Sequence, residues 1–234
     1  MKITLVHGQN HKGSTYQLSH ILLDKIGQKQ DVEIVNEFFL PKDLNHFCLG
    51  CFQCIEGDEN CPFFDEKTKI LDAIEAADVL IFTTPTYCLR ASAPMKSFLD
   101  MTFTRWMVHR PKAIMFSKKA IVLSSSAGSG GKLATKDIAT SLFYWGIPWI
   151  KQYSKSLQAM NWKGVSKKNQ DKVDRDLTKL SKKILRKKNT KAGIKTKFMF
   201  HMMKNMQKAG WGSSPYEKQY WMSQGWFGGK APWR

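Results

Sequence analysis

Residues 79–84 read Val-Leu-Ile-Phe-Thr-Thr, an unbroken apolar run closed by two threonines. A strand with one wet face alternates apolar and polar side chains, whereas a strand covered on both faces reads as a continuous run. The run is strand-length and far too short to cross a membrane. Helices must therefore cover both sides of it, and the neighbouring sequence supplies them. Ile3–His7 is a first strand, and residues 15–28 place Leu18, Ile21, Leu22 and Ile26 at helical spacing. Val32–Phe39 is a second strand, and residues 66–77 carry Ile70, Leu71, Ile74 and Ala77 on one helical face. After the third strand, Val79–Thr84, Pro94–Phe103 predicts a helix with proline in its first turn. Ala120–Ser124 is a fourth strand, a helix follows to about Tyr144, and Trp149–Tyr153 is a fifth strand. Strand-then-helix repetition predicts parallel crossovers and an α/β layered sheet.

Charge divides the chain. Of 37 Lys+Arg and 19 Asp+Glu, residues 1–150 hold 16 and 15, and residues 151–234 hold 21 and 4, a net of +17. That split excludes reading the whole chain as a nucleic-acid-binding protein. Residues 166–188 predict a lysine-rich amphipathic helix, with Val173, Leu177, Leu180 and Ile184 on its apolar face. The pattern breaks around Asn189–Gly193. We expect a domain over 1–190 and an extension over 191–234, with a short helix at about 197–208 and a Gly/Ser/Trp-rich end. Met1-Lys2 runs straight into Ile3–Val6, too short for a secretory apolar core. The expected compartment is the cytoplasm, where thiols stay reduced.

In open α/β sheets ligands bind beyond the carboxyl ends of the strands, where strand order reverses. Three loops fall there. Gly8-Gln9-Asn10-His11-Lys12-Gly13-Ser14-Thr15-Tyr16 precedes a helix and offers backbone N–H groups, hydroxyls and two potential cations, the donors that a phosphate monoester needs. The alternative is a capped turn with Ser14 as N-cap and Lys12 solvated. Pro85-Thr86-Tyr87-Cys88 is a proline turn that presents an aromatic ring and backbone amides to a planar heterocycle, with Cys88 expected as a small packing residue. Ser125-Ser126-Ala127-Gly128 opens a Gly/Ser-rich turn that lets backbone approach a ligand. The absence of G-x-G-x-x-G argues against a dinucleotide-binding Rossmann site. The histidines at 7, 11, 20, 46, 109 and 201 form no spaced ligand set and are expected at the surface or in packing.

Together the three loops resemble the flavodoxin-fold NAD(P)H-dependent FMN reductases, in particular their iron–sulfur flavoprotein branch, over about residues 1–160. Gly8 and Ser14 match the family's G-S-P-R-x-x-S-x-T phosphate loop, while Gln9, Asn10, His11 and Tyr16 depart from it. Pro85, Tyr87, Pro94, Lys96 and Asp100 match its second motif, P-x-Y followed by P-x-K and Asp. The resemblance implies a flavodoxin-like doubly wound parallel five-stranded sheet. It implies FMN held by residues among Gln9, His11, Lys12, Ser14, Thr15 and Tyr16, with Pro85–Cys88 and Ser125–Gly128 flanking its ring. NAD(P)H would be the co-substrate, and no catalytic acid–base residue is required.

Cys48, Cys51, Cys54 and Cys61 form C-x2-C-x2-C-x6-C-P, with the opening and ending of ferredoxin-type cluster runs. A flexible connection over Ile55–Asn60 would return the fourth thiol. A 4Fe–4S cluster, free thiols and zinc are the three readings. The run also resembles the cluster loop of iron–sulfur flavoproteins.

In the tail, Phe198, Trp211, Tyr216, Trp221, Trp226 and Trp233 punctuate a basic segment. Spaced large aromatics mark buried contacts, so packing on the domain or a partner subunit is expected ahead of a membrane surface or nucleic acid. The expected function is an FMN-dependent NAD(P)H oxidoreductase of the flavin/quinone reductase type, a homo-oligomer passing electrons to a small molecule or redox protein. The alternatives are an electron carrier using FMN and a 4Fe–4S cluster, and a non-enzymatic module docking on a membrane or polyanion.

Overall fold

The computed structural model describes residues 1–187, 190–211 and 214–233. Five parallel strands, β1 (Lys2–His7), β2 (Glu33–Phe39), β3 (Val79–Pro85), β4 (Lys119–Ser126) and β5 (Trp149–Ser156), pair in the order β2-β1-β3-β4-β5. This is the flavodoxin-like doubly wound order, with its reversal between β1 and β3. The continuous apolar runs are explained by where alternate residues go. Ile3, Leu5, Val79, Ile81, Ile121 and Leu123 enter a core under α1 (Ser14–Gly27) and α5 (Lys167–Arg186). Val6, Leu80, Phe82, Ala120 and Val122 enter a second core under α2 (Phe64–Ala76), α3 (Ala93–Met101) and α4 (Gly131–Tyr144). The apolar stripe of α5 is fully inside, with its lysines outward, so the helix closes the domain.

Several boundaries differ from the sequence reading. Strands β3 and β4 run on to Pro85 and Ser126, because both continue pairing to the sheet's carboxyl edge. The helix expected at 197–208 is α6, spanning Ile194–Ala209. The expected helix end at Lys188 and the start of the break at Asn189 lie outside the described residues.

The Gly/Ser/Trp-rich end contains a further helix, α7 (Pro215–Ser223). Its start is Ser-Pro-Tyr-Glu, with the Ser214 hydroxyl accepting from the Glu217 N–H and proline in the first turn, a capping-box sequence. Helices α6 and α7 build a third core, where Phe200, Met203, Trp221 and Trp226 pack with Met107 and Phe116. Trp221 stacks on Phe200 at 5.1 Å between ring centres and donates its indole N–H to the His109 carbonyl. The extension therefore packs on its own chain.

Candidate functional site

The carboxyl ends of β1, β3 and β4 are adjacent in the sheet, so the loops at 8–16, 85–88 and 125–128 meet at one edge. Hydrogen bonds tie them together. Gly8 N–H donates to Thr83 O at 2.7 Å, Thr86 N–H donates to Ser125 O at 3.0 Å, and Thr15 Oγ1 and Ser125 Oγ share a hydrogen bond of 3.0 Å. The side chains of Thr86 and Ser124 do the same at 2.9 Å. Gln9 Nε2 reaches the Tyr87 hydroxyl at 3.4 Å. The Ser126 hydroxyl donates to Gly128 O, and Ser156 donates to Ala127 O.

Ser14 is not the N-cap. Gly13 takes that position with extended backbone, and having no side chain it supplies no cap hydrogen bond. Ser14 becomes the first helical residue, and its hydroxyl is buried with no hydrogen-bond partner among the described residues. A buried hydroxyl at a helix N-terminus, beside free backbone N–H groups, is a donor set lacking an anion. These residues fit the phosphate of FMN.

Two residues of these loops turn their side chains away from the shared edge or into solvent. The Tyr16 ring turns toward β2 and lies 3.9 Å from His20 and 5.5 Å from His7, with the Lys12 amine 5.3 Å from its centre. Cys88 is exposed and packs nothing, because Tyr87 and Arg90 exchange backbone hydrogen bonds and push Cys88 and Leu89 to the tip of a two-residue turn. Both tip residues have positive φ, 47° and 63°, an uncommon conformation outside glycine.

The four clustered cysteines line one cavity of about 260 Å³ with Leu49, Phe63 and Met101. Asp100 and Phe103 line it too, and both also line a neighbouring cleft of about 580 Å³ that runs to Arg90, just beyond the tip residues Cys88 and Leu89. A zinc ion with sulfur bonds of about 2.3 Å needs thiols roughly 3.8 Å apart. Among the described residues no three of these thiols lie within 4.8 Å of one another. That is a wider spread than the roughly 3.8 Å separation that a single zinc ion imposes on its thiolates. Burial pushes the Cys54 thiol up, partly offset by the amine of Lys67, which is itself buried.

The connection expected to be flexible, Ile55–Asn60, is pinned by the extension. The Arg110 guanidinium donates to the carbonyls of Cys54 and Ile55 and to Asp58, the last at 2.8 Å. On its other side it meets Glu217 of α7, whose carboxylate is fully buried and also accepts from His109 at 2.9 Å. Ser214 Oγ donates to the Ile55 carbonyl. Sequence reasoning missed Arg110, Asp58 and Glu217, because the partners stand 52 and 107 positions apart.

Burial pushes the Asp58 carboxyl up, but the charges of Arg105 and Arg110 and the hydrogen bonds from Arg110 and Thr104 outweigh it and hold it below the usual range. A carboxylate depressed by folding adds stability above its unfolded value of about 4, lost as pH falls through the folded value. Acidification below about pH 4 should thus expose Cys54, read by thiol–disulfide exchange with a pyridyl disulfide, which reacts in acid. Asp58→Asn should remove that pH step while leaving Cys54 less protected at neutral pH.

A sequence profile for "NADPH-dependent FMN reductase" matches residues 1–159. An "Iron-sulfur flavoprotein" of Clostridioides difficile is 30% identical over 154 residues, covering 58% of this chain and 68% of that one. A protein of the same description from Archaeoglobus fulgidus is 25% identical over 135 residues, and the match spans 56% of this chain and 62% of the archaeal one. In fold, the chain is similar to an FMN-dependent NADH-azoreductase from Bacillus anthracis solved with FMN, with a TM-score of 0.58, 10% identity, and coverage of 77% and 100%. No helix among the described residues is long and apolar enough to cross a membrane. With a profile match over more than half its length, the chain belongs to the NADPH-dependent FMN reductase family.

Proposed function

We propose that this chain is an NAD(P)H-dependent FMN oxidoreductase whose electrons leave through a 4Fe–4S cluster on Cys48, Cys51, Cys54 and Cys61. The observation that carries the flavin reading is the orphaned, buried Ser14 hydroxyl at the start of α1, beside the loops of β3 and β4. Bound FMN would supply hydride acceptance from the nicotinamide and release of electrons to an acceptor. The residues do the rest. The α1 N-terminus and Ser14 bind the phosphate, and Thr15 and Ser125 hold the first and third loops together. The Tyr87–Arg90 turn, anchored by Arg90 on Asp137 at 2.6 Å, borders the ring. The cleft between α3 and α4 gives access to substrate, and its shared wall of Asp100 and Phe103 brings it next to the cysteine cavity.

The cluster reading is supported by four thiols on one cavity and by the descriptions of the relatives. A cytoplasmic, homo-oligomeric protein with a small-molecule or redox-protein acceptor belongs to the same proposal. Anaerobically purified protein should show flavin and iron–sulfur absorbance, about four iron atoms per chain, and NADPH-dependent bleaching at the flavin band. Cys51→Ser should abolish the iron and leave FMN. Iron-free protein after anaerobic reconstitution, still bleached by NADPH, would remove the cluster and keep the flavoenzyme.

A further inference from the structure

The three residues His7, His20 and Glu37 place their donor atoms within 4.8 Å of one another. Sequence reasoning found no spaced histidine set, and spacing along the chain could not have shown this one. His7 ends β1, and Glu37 lies on β2, where the register pairs Leu5 with Glu37 and His7 with Phe39. Residues 5, 7, 37 and 39 therefore point to one face of the sheet. Helix α1 crosses that face and presents Tyr16 and His20, four residues apart and on one side. Both imidazoles aim Nε2 at the same oxygen, Glu37 Oε1, at 2.8 and 2.9 Å.

Three further observations separate this cluster from an ordinary ion pair. First, the chain has 37 Lys+Arg for 19 Asp+Glu, yet among the described residues no lysine or arginine pairs with Glu37. Second, the Nδ1 of His7 is held by Thr83 Oγ1 at 2.8 Å. Metal-bound imidazoles are commonly oriented by a partner on the other nitrogen, and the Thr83 hydroxyl can accept a hydrogen bond from Nδ1–H when Nε2 is a ligand. Third, aromatic rings wall the site: Phe39 stacks on His7 at 4.7 Å and Tyr16 lies 3.9 Å from His20.

We propose that His7, His20 and Glu37 bind one divalent transition-metal ion of the zinc class, separate from the cysteine cavity and independent of the flavin reading. Two imidazole nitrogens and one carboxylate suit zinc, while calcium and magnesium prefer all-oxygen sets. Bonds of about 2.0–2.2 Å put ligands roughly 3.3 Å apart in a tetrahedron, so each imidazole nitrogen needs to draw back from the Glu37 oxygen by only about half an ångström. The fourth position faces the open side, where His20 and Glu37 are partly exposed. The ion would tie α1 to β1 and β2 at the base of the loop that begins at Gly8.

The test uses the full-length chain as purified, carrying Cys48→Ser, Cys51→Ser and Cys61→Ser, so that clustered thiolates do not compete. Titration with Zn²⁺ against a chromophoric chelator should give one ion per chain. Thr83→Val, which leaves all three ligands, should weaken binding by about 10–100-fold. Glu37→Gln and His20→Ala should abolish it, with FMN content and circular dichroism checking the fold. X-ray absorption at the zinc edge of the chain with all three ligands intact should show two imidazoles and no sulfur. Absence of stoichiometric zinc, binding that survives both ligand substitutions, or a zinc spectrum without imidazole overturns the proposal.

Discussion

Arg110→Met should cost about 3–5 kcal/mol of stability, because it leaves the buried Glu217 carboxylate without its guanidinium. At roughly 2–4 °C per kcal/mol for a chain of this size, the melting temperature should fall by about 10 °C. Stability alone would not distinguish this residue from any other buried one. Arg110 is special because it donates to the carbonyls of Cys54 and Ile55 as well as to Asp58 and Glu217. One side chain thus connects the cysteine segment to α7. With methionine in its place, two backbone carbonyls lose their donor, and Cys54, now 7% exposed, should open to solvent. Pulsed alkylation should label Cys54 far faster at a temperature where α/β helicity is intact. FMN content should change little, since the phosphate loop lies on β1 and α1. A variant that melts normally and keeps Cys54 protected would show that the extension does not hold the cysteine segment.

The reach of the sequence differs between elements for physical reasons. Strands β1, β3 and β4 were legible because burial on both faces leaves a continuous apolar run, whereas the flavodoxin-like arrangement of the sheet was implied only by the family resemblance of the loops. The loops at 8–16, 85–88 and 125–128 were legible as candidates because ligand sites sit at the carboxyl edge of such sheets. Helix α7 was passed over although Ser214-Pro215-Tyr216-Glu217 is a start signal, because its aromatics lack a one-sided stripe and only Glu217 and Trp221 are buried. The exposed Cys88 was misplaced because two non-glycine residues with positive φ leave no mark in the sequence. His7, His20 and Glu37 meet only after β1 pairs with β2 and α1 crosses both. Contacts made by register and by helix crossing are not carried by local pattern, and the same holds for Arg110 and Glu217.

Ser14→Asp should affect the free and the flavin-loaded protein in opposite directions. Ser14 opens α1, whose first turn carries no acidic residue. In the free protein an aspartate there meets the positive end of the helix dipole, which favours it by about 0.3–1 kcal/mol. It would also offer the loop N–H groups the acceptor they lack. In the loaded protein the same carboxylate stands where the phosphate would bind. Two unit charges about 4 Å apart repel by about 4 kcal/mol in partly screened surroundings, roughly a thousandfold in affinity. Ser14→Ala removes only the hydroxyl, and a hydrogen bond to a charged group is worth about 1.5–3 kcal/mol. The expected order of FMN affinity is therefore serine, then alanine, then aspartate, while the melting temperature of flavin-free protein is unchanged or higher for aspartate. Fluorescence titration with FMN gives the first order, and calorimetry of the stripped protein gives the second. A stripped aspartate variant that melts well below the parent would mean that the flavin loss reports damage to α1. Equal FMN affinity in all three proteins would move the phosphate away from Ser14 altogether.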